Sequence, residues 1–117
     1  MSVQRTDLPS MVSGTYFRDL NLRITDADGT PYDLTNKKAK AEVKLNPKLT
    51  DSAKVWDTTD NTIEIVDGPD GRIKLKGFHN DIPPGDYYYD LKVELAPDEV
   101  YAILCGKWII VQHVTQL

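Results

Sequence analysis

The sequence predicts an all-β fold, a two-sheet antiparallel β-sandwich of about seven or eight short strands. Asp86–Leu95 gives the strongest evidence, because apolar and polar residues alternate strictly along it, as in a strand with one buried face. Clusters of Gly, Pro, Asn and Asp separate this stretch from other β-prone stretches. No stretch shows a clear helical period. An all-β barrel is the alternative architecture.

The first half of the chain contains further strand signals. Leu20–Thr25 and Ala39–Leu45 alternate in the same way and are predicted as strands. The Ala, Lys and Glu of Ala39–Leu45 also favour helix, but its period of two and its abrupt stop at an Asn-Pro pair favour a strand. Ile63–Ile65 and Ile73–Leu75 flank a turn rich in Gly and Asp, and we predict a hairpin there. Lys48–Asp60 is the least regular part of the chain.

Asp86–Leu95 is predicted to be a central strand, with Tyr87 and Tyr89 on the same inward face as Leu91 and Val93. We expect the core to contain Leu22, Ile24, Val43, Tyr89, Leu91, Val93 and Trp108. We expect the outward polar residues to stay in water, namely Lys40, Glu42, Lys44, Lys92 and Glu94.

The last two apolar runs, Val100–Cys105 and Trp108–Val114, are predicted to form a second hairpin across Gly106 and Lys107. Both parities of these runs are largely apolar, so they are either covered on both faces or lie at an interface. The irregular stretch Lys48–Asp60 could supply the cover. The candidate protein-interface residues are Val100, Tyr101, Ile103, Cys105, Ile109, Val111 and His113.

The chain has 117 residues, enough for one domain with a real core. Residues 1–10 are polar and aperiodic, so we predict a flexible arm that is either disordered or ordered only by a partner, followed by a single β-sandwich domain over residues 11–117. The lone Cys105 excludes an intrachain disulfide. The chain opens without the apolar core of a signal peptide and has no membrane-length apolar run, so folding in the cytoplasm is expected.

Asp26, Asp28 and Asp33 are weak candidates for metal ligands, because alternating carboxylates followed by Gly occur in calcium loops. The position that should carry a bidentate Glu is Lys37, and Asp-Gly pairs also suit an ordinary turn, which is the favoured interpretation. No nucleophile elbow or phosphate-binding loop is present, so we predict neither enzymatic activity nor a cofactor. The net charge of −4 argues against nucleic-acid binding.

Three runs, Leu20–Thr35 (LNLRITDADGTPYDLT), Pro83–Val93 (PPGDYYYDLKV) and Gly106–Thr115 (GKWIIVQHVT), resemble a family of bacteriophage virion domains. Members of that family are small immunoglobulin-like β-sandwiches of tail, baseplate-upper and fibre-associated proteins. The resemblance implies an immunoglobulin-like fold, no catalytic residues, and a place in the virion after synthesis in the host cytoplasm. His113, where the family pattern has an acidic residue, and the apolar Val100–Cys105 depart from it.

The resemblance and the apolar final strands predict a non-enzymatic structural subunit of a virion, such as a tail, baseplate or adaptor protein. Its partners would be other virion proteins and further copies of itself, with no nucleic acid, membrane or small-molecule substrate. The alternative is a carbohydrate- or host-surface-binding β-sandwich module. Parity disfavours this alternative, because Tyr87 and Tyr89 face inward and Tyr88 alone of the three faces out.

Overall fold

The computed structural model describes residues 4–46 and 48–112. Every helix or strand assigned within these ranges is a β-strand, which confirms the all-β prediction. None of the described residues forms a helix that could cross a membrane. The strands are β1 (Gln4–Arg5), β2 (Met11–Val12), β3 (Tyr16–Phe17), β4 (Leu20–Arg23), β5 (Lys38–Lys44), β6 (Lys54–Asp57), β7 (Ile63–Asp67), β8 (Arg72–Leu75), β9 (Phe78–His79), β10 (Gly85–Ala96) and β11 (Glu99–Val111).

The largest sheet has the order β1-β11-β10-β5-β6, and β2 also pairs with β11, farther along that strand. The β5, β6, β10 and β11 ladders are antiparallel, whereas β1 and β2 run parallel to β11. β10 is the central strand, as predicted from its alternation. Tyr89 lies at its middle, opposite Val43 of β5 and Gly106 of β11.

A second sheet has the order β4-β8-β7, and β3 pairs with β9 as a separate two-stranded ladder. β7 and β8 form the hairpin predicted from their flanking turn. Gly71 closes that turn with a positive φ of 66°, and a Cβ atom there would lie 2.5 and 2.9 Å from the carbonyl oxygens of Ile24 and Tyr32. A side chain there would be both strained and blocked, so the turn requires glycine.

The core is one cluster whose residues come from the two larger sheets and the loops between them. Trp56 of β6 and Trp108 of β11 are fully buried, and their ring centroids are 6.3 Å apart. Phe17 packs against both indoles at 5.6 and 5.3 Å. Large aromatic side chains bury much area in a small protein, so this cluster contributes strongly to stability.

The predicted core is mostly confirmed. Six of its members are buried: Ile24, Val43, Tyr89, Leu91, Val93 and Trp108. Leu22 is only half-buried, because β4 forms an edge of its sheet. Of the predicted outward residues, Lys40 and Lys92 are exposed, whereas Glu42, Lys44 and Glu94 are half-buried.

The predicted second hairpin is wrong. β11 is one continuous strand from Glu99 to Val111, and the turn that precedes it lies at Pro97 and Asp98, where Asp98 has a φ of 64°. Gly106 pairs with Tyr89 in the middle of the ladder. Glycine signals a turn in sequence, but inside a strand it also marks a close approach of another backbone, and that is its role here.

The N-terminal segment also differs from the prediction of an arm that needs a partner. Gln4 and Arg5 pair with Leu104 and Cys105, and Met11 pairs with Ile110, so residues 4–12 line the edge of β11 that faces away from β10. β6, within the stretch predicted as least regular, forms the opposite edge of the sheet. It aligns with β5 because Trp56 is anchored in the core, where its Nε1 donates to the Lys76 carbonyl at 2.9 Å.

Candidate protein-interaction surface

The outer face of the large sheet consists of the side chains that alternate with the buried ones on β5, β10 and β11. On β10, Tyr88 and Lys92 are exposed, whereas their neighbours Tyr89 and Leu91 are buried. Across the ladder, Asp86 is opposite Ile109 and Tyr88 is opposite Lys107. This face divides into a charged part and an apolar part.

The charged part lies over β5 and β10. Glu42 is at its centre, with Lys40 and Lys44 nitrogens each 3.4 Å from its carboxylate and the Ser52 hydroxyl donating at 2.7 Å. The Ser52 hydrogen bond, helped by the two lysines, lowers the pKa of Glu42 below its usual value. The charged groups in this part of the face pair with one another, as is usual for a sheet surface that stays in contact with solvent.

The apolar part begins at Tyr88, which lies opposite Lys44 of the charged part, and continues along the end of β11. We call Tyr88, Ile109 and Val111 the outer patch. Each of these side chains is 41% exposed. Val12 of β2 extends the patch, because it lies beside Val111 in the ladder and is half-buried. The Lys107 ammonium lies 5.9 Å from the Tyr88 ring centroid. Neighbouring exposed apolar side chains on a sheet are typical of a protein contact.

The predicted interface residues do not form one surface. Ile109 and Val111 lie in the outer patch, and Val100 is 54% exposed at the far end of β11, opposite Glu94. Cys105 is half-buried on the outer face, opposite Asp90. His113 lies outside the described residues.

Tyr101 and Ile103 belong to the core and not to the candidate surface. Ile103 is buried, and Tyr101 is half-buried against the core cluster. The ladder explains this difference, because Leu91 pairs with Leu104 but Lys92 pairs with Ala102. Ile103 is therefore the extra residue of a β-bulge, and the bulge shifts the parity of the strand before it.

The edge of β11 forms a second candidate site, which we call the edge slot and which the N-terminal segment occupies. The Thr6 amide donates to the Cys105 carbonyl at 2.8 Å, and the Leu8 amide donates to the Lys107 carbonyl at 2.9 Å. The Lys107 amide in turn donates to Asp7 Oδ1 at 2.9 Å. These bonds satisfy the edge groups of β11 that no other strand reaches.

Gly106, Tyr89 and Trp108 form the floor of the edge slot. A Cβ atom at Gly106 would overlap the Thr6 carbonyl. That carbonyl accepts a hydrogen bond from the Tyr89 hydroxyl, and the Pro9 carbonyl accepts one from Trp108 Nε1 at 3.1 Å. Burial, with smaller contributions from Cys105 and Asp7, raises the pKa of Tyr89 to about 12.

The three aspartates considered as metal ligands do not form a cluster of three that could hold a metal ion. Asp26 Oδ1 accepts the amides of Asp28 and Thr30 at 2.9 and 3.0 Å. Asp33 Oδ1 accepts the Thr35 amide at 3.0 Å, and hydrogen bonds from Thr35 lower the pKa of Asp33. No group of three His, Cys, Asp or Glu side chains that could hold a metal occurs among the described residues. Asp26 and Asp33 therefore build turns.

Sequence reasoning missed the edge slot and the role of Tyr88 in the outer patch. Gly106, which separates two largely apolar runs, was an available signal for the slot, since a glycine inside a strand permits close approach of a second backbone. Neither protein-family models nor curated proteins give a match to this chain.

Proposed function

We propose that this protein is a non-enzymatic structural subunit that works by protein–protein assembly and that the outer patch is a contact surface. The observation that supports this proposal is the exposure of Tyr88, Ile109 and Val111 near one another on the same face of the large sheet. The rest of that face has paired charges, so the apolar end differs from the surface around it. Burying such a patch against a partner is favourable at about 25 cal/mol per Å² of apolar area.

We further propose that the fold is an immunoglobulin-like sandwich. In support, the two larger sheets have the strand orders β11-β10-β5-β6 and β4-β8-β7, the neighbour relations of such domains. The Tyr87 hydroxyl also donates to the Pro83 carbonyl at 2.6 Å. A tyrosine near the start of the equivalent strand, bonded back to the chain just upstream, is a recurrent feature of these sandwiches.

A bacteriophage virion is the proposed setting, and the support for it is the resemblance of Leu20–Thr35, Pro83–Val93 and Gly106–Thr115 to virion domains. The partners proposed are other virion proteins and further copies of this chain. The carbohydrate-binding alternative has less support, because Tyr88 is the one aromatic residue among the outward side chains described on β10 and β11. A sugar platform would need several such rings.

The test places a charge in the outer patch without harming the fold. Ile109→Lys is suitable because Asp86 lies directly opposite and can accept the new cation. Val66→Lys is the matched control, since Val66 is a 55% exposed strand residue of β7, in the other sheet. The free energy of unfolding of both variants, measured by denaturant titration, should equal that of the wild type to within about 0.5 kcal/mol, the range of ordinary surface changes.

The readout is assembly, measured by sedimentation velocity of the purified protein and by its recovery in particles from infected cells. Ile109→Lys should lose self-association or particle incorporation, whereas Val66→Lys should retain both. If folded Ile109→Lys assembles as wild type does, the outer patch is not the contact. If the protein instead binds immobilised glycans and Ile109→Lys retains this binding, the alternative function is correct.

A further inference from the structure

The edge slot holds the segment mainly through its main chain and contacts two of its side chains, those of Asp7 and Leu8. Two side-chain donors of the slot bond to main-chain carbonyls three residues apart in the segment. The Tyr89 hydroxyl donates to the Thr6 carbonyl, and Trp108 Nε1 donates to the Pro9 carbonyl. Between them, Asp7 accepts the Lys107 amide and Leu8 packs against the core. Gly106 admits the backbone at the point of closest approach. The slot therefore suits an extended strand with an acidic residue followed by an apolar one.

These contacts do not depend on how the segment is joined to the domain. They run from the backbone and side chains of residues 6–9 to β10 and β11, so the same residues could make them from another chain. The connection that follows contains Gly14, with a positive φ of 87°. The Gly14 amide donates to the Asn80 carbonyl at 2.7 Å, so the chain beyond it stays attached to its own domain. A glycine at this point can change its backbone conformation with little steric cost, which is what a hinge needs.

The segment is held mainly by hydrogen bonds rather than by buried apolar area. Thr6, Asp7, Pro9 and Ser10 are exposed, while Leu8 and Met11 are half-buried against the core. Each hydrogen bond contributes a net free energy of only about 1 kcal/mol, so the segment can open without unfolding the domain.

Opening the slot leaves hydrogen-bonding groups of β10 and β11 without partners, so binding of another strand there is favourable. Without the segment, Trp108 Nε1 and the Tyr89 hydroxyl lose their acceptors, and the β11 edge groups at Cys105 and Lys107 lose their partners. A long sheet edge with free amides and carbonyls readily pairs with another strand. A second copy of this chain carries the strand that the slot is built to receive.

We propose that two copies exchange their N-terminal segments, each filling the edge slot of the other with residues 4–12. The exchanged pair keeps the contacts that residues 6–9 make in the slot and changes which molecule supplies them, whereas the short connection after Val12, where Thr15 donates to the Val12 carbonyl in the closed chain, must open. The exchange uses the edge of β11 and not its outer face, so it stands whether or not the outer patch binds a partner. Because exchange is bimolecular, the exchanged form gains population as the protein concentration rises.

A single substitution allows a direct test with the natural cysteine. Arg5 is the register partner of Cys105, and adjacent strands lie about 4.8 Å apart, a spacing of α-carbons that a disulfide can bridge. The full-length Arg5→Cys chain is prepared with and without nitrogen-15, mixed, unfolded and refolded together at low and high concentration, and oxidised with oxidised glutathione. Mass spectrometry then identifies disulfide-linked peptides that join positions 5 and 105.

If the segments exchange, some linked peptides should join one labelled and one unlabelled chain. The fraction of these mixed peptides should rise with protein concentration. The dimers that contain them should have no free thiols, because both disulfides form. The double variant Arg5→Cys/Cys105→Ser controls for dimers formed through position 5 alone. Adding Gly106→Ala should reduce the mixed peptides, whereas adding Gly85→Ala, whose new Cβ would lie 3.4 Å from its nearest neighbour, should not. Linked peptides carrying a single label type at every concentration, or no linkage between positions 5 and 105, would overturn the proposal.

Discussion

β10 and β11 form one long antiparallel pair, yet they meet their surroundings differently. Their inner faces are alike, with Tyr87 beside Trp108 and Leu91 beside Leu104, all in the core. β10 has a full strand on each side, and its outward residues include charged groups paired with neighbours. β11 has only the short β1 and β2 on its far edge, and its outward side chains include the outer patch.

This difference shows that apolar residues on both parities of a strand can have separate causes. At Ile103 the cause is a bulge, which turns an extra side chain into the core. At Ile109 and Val111 the cause is not burial, since both remain substantially exposed. A strand with such a pattern therefore need not be covered on both faces.

The largest effect should come from charging the inner face of β11. Ile110 is 2% exposed, and Ile110→Lys would place an unpaired cation in the core. The expected loss is on the order of 4 kcal/mol or more, enough to unfold many domains of this size. Circular dichroism during urea titration measures it, with Ile109→Lys as the neighbouring control. Equal losses for the two variants would show that the assigned faces of β11 are wrong.

The next effect tests the inner face of β10. Leu91 is 1% exposed between β5 and β11, so Leu91→Ala should destabilise the protein by about 2–5 kcal/mol through lost contacts and a cavity. Chemical denaturation gives the free energy directly. A loss below about 1 kcal/mol, closer to a surface change, would contradict the central position of this strand.

A smaller effect should follow from filling the edge slot. Gly106→Ala would push the Thr6 carbonyl away from β11, and overpacking of this kind destabilises by about 1–3 kcal/mol. Gly85→Ala is the control in β10, where the added Cβ would meet the Tyr87 ring at 3.4 Å. Hydrogen exchange should show faster exchange of the Thr6 and Leu8 amides in Gly106→Ala alone. Unchanged exchange there would mean that the segment does not depend on the slot.

The smallest effect concerns the Tyr89 hydroxyl, which donates to the Thr6 carbonyl. Tyr89→Phe should cost about 0.5–1.5 kcal/mol at neutral pH, the net contribution of one hydrogen bond. Folding raises the pKa of Tyr89 from an ordinary value of about 10 to about 12. The unfolded chain therefore loses this proton first, and the contribution of Tyr89 to stability is complete below pH 10 and declines towards pH 12.

Urea titrations at pH 8 and pH 11 test that sign. The wild type should lose more stability than Tyr89→Phe over this interval, because both proteins share the titration of their other tyrosines and lysines. Equal losses would show that the hydroxyl is not held in its neutral form by the fold.

The strands that the sequence predicts correctly are those in which one face is buried and the other wet. β5 and β10 have this property, because Val43 and Leu91 alternate with charged residues that water can reach. β11 lacks it, and Gly106 with Lys107 imitates a turn. The bulge at Ile103 could not be predicted either, because it depends on how β11 registers against β10.

The N-terminal pairing was missed for a different reason. Thr6 and Leu8 are held by their backbone amides, and main-chain hydrogen bonds leave no pattern of side chains to read. The outer patch was only partly predicted. Ile109 and Val111 were predicted as interface residues and Tyr88 as an outward residue, but the position of Tyr88 near Ile109 depends on the register of β10 against β11.

The most direct test of the edge slot is amide hydrogen exchange of the 117-residue protein, followed by NMR. We expect the Thr6 and Leu8 amides, bonded to the Cys105 and Lys107 carbonyls, to exchange at least about tenfold more slowly than in an unstructured chain. We also expect a nuclear Overhauser contact between Thr6 and Gly106. Exchange of both amides at the unstructured rate, with no such contact, would show that the N-terminal segment does not occupy the edge of β11.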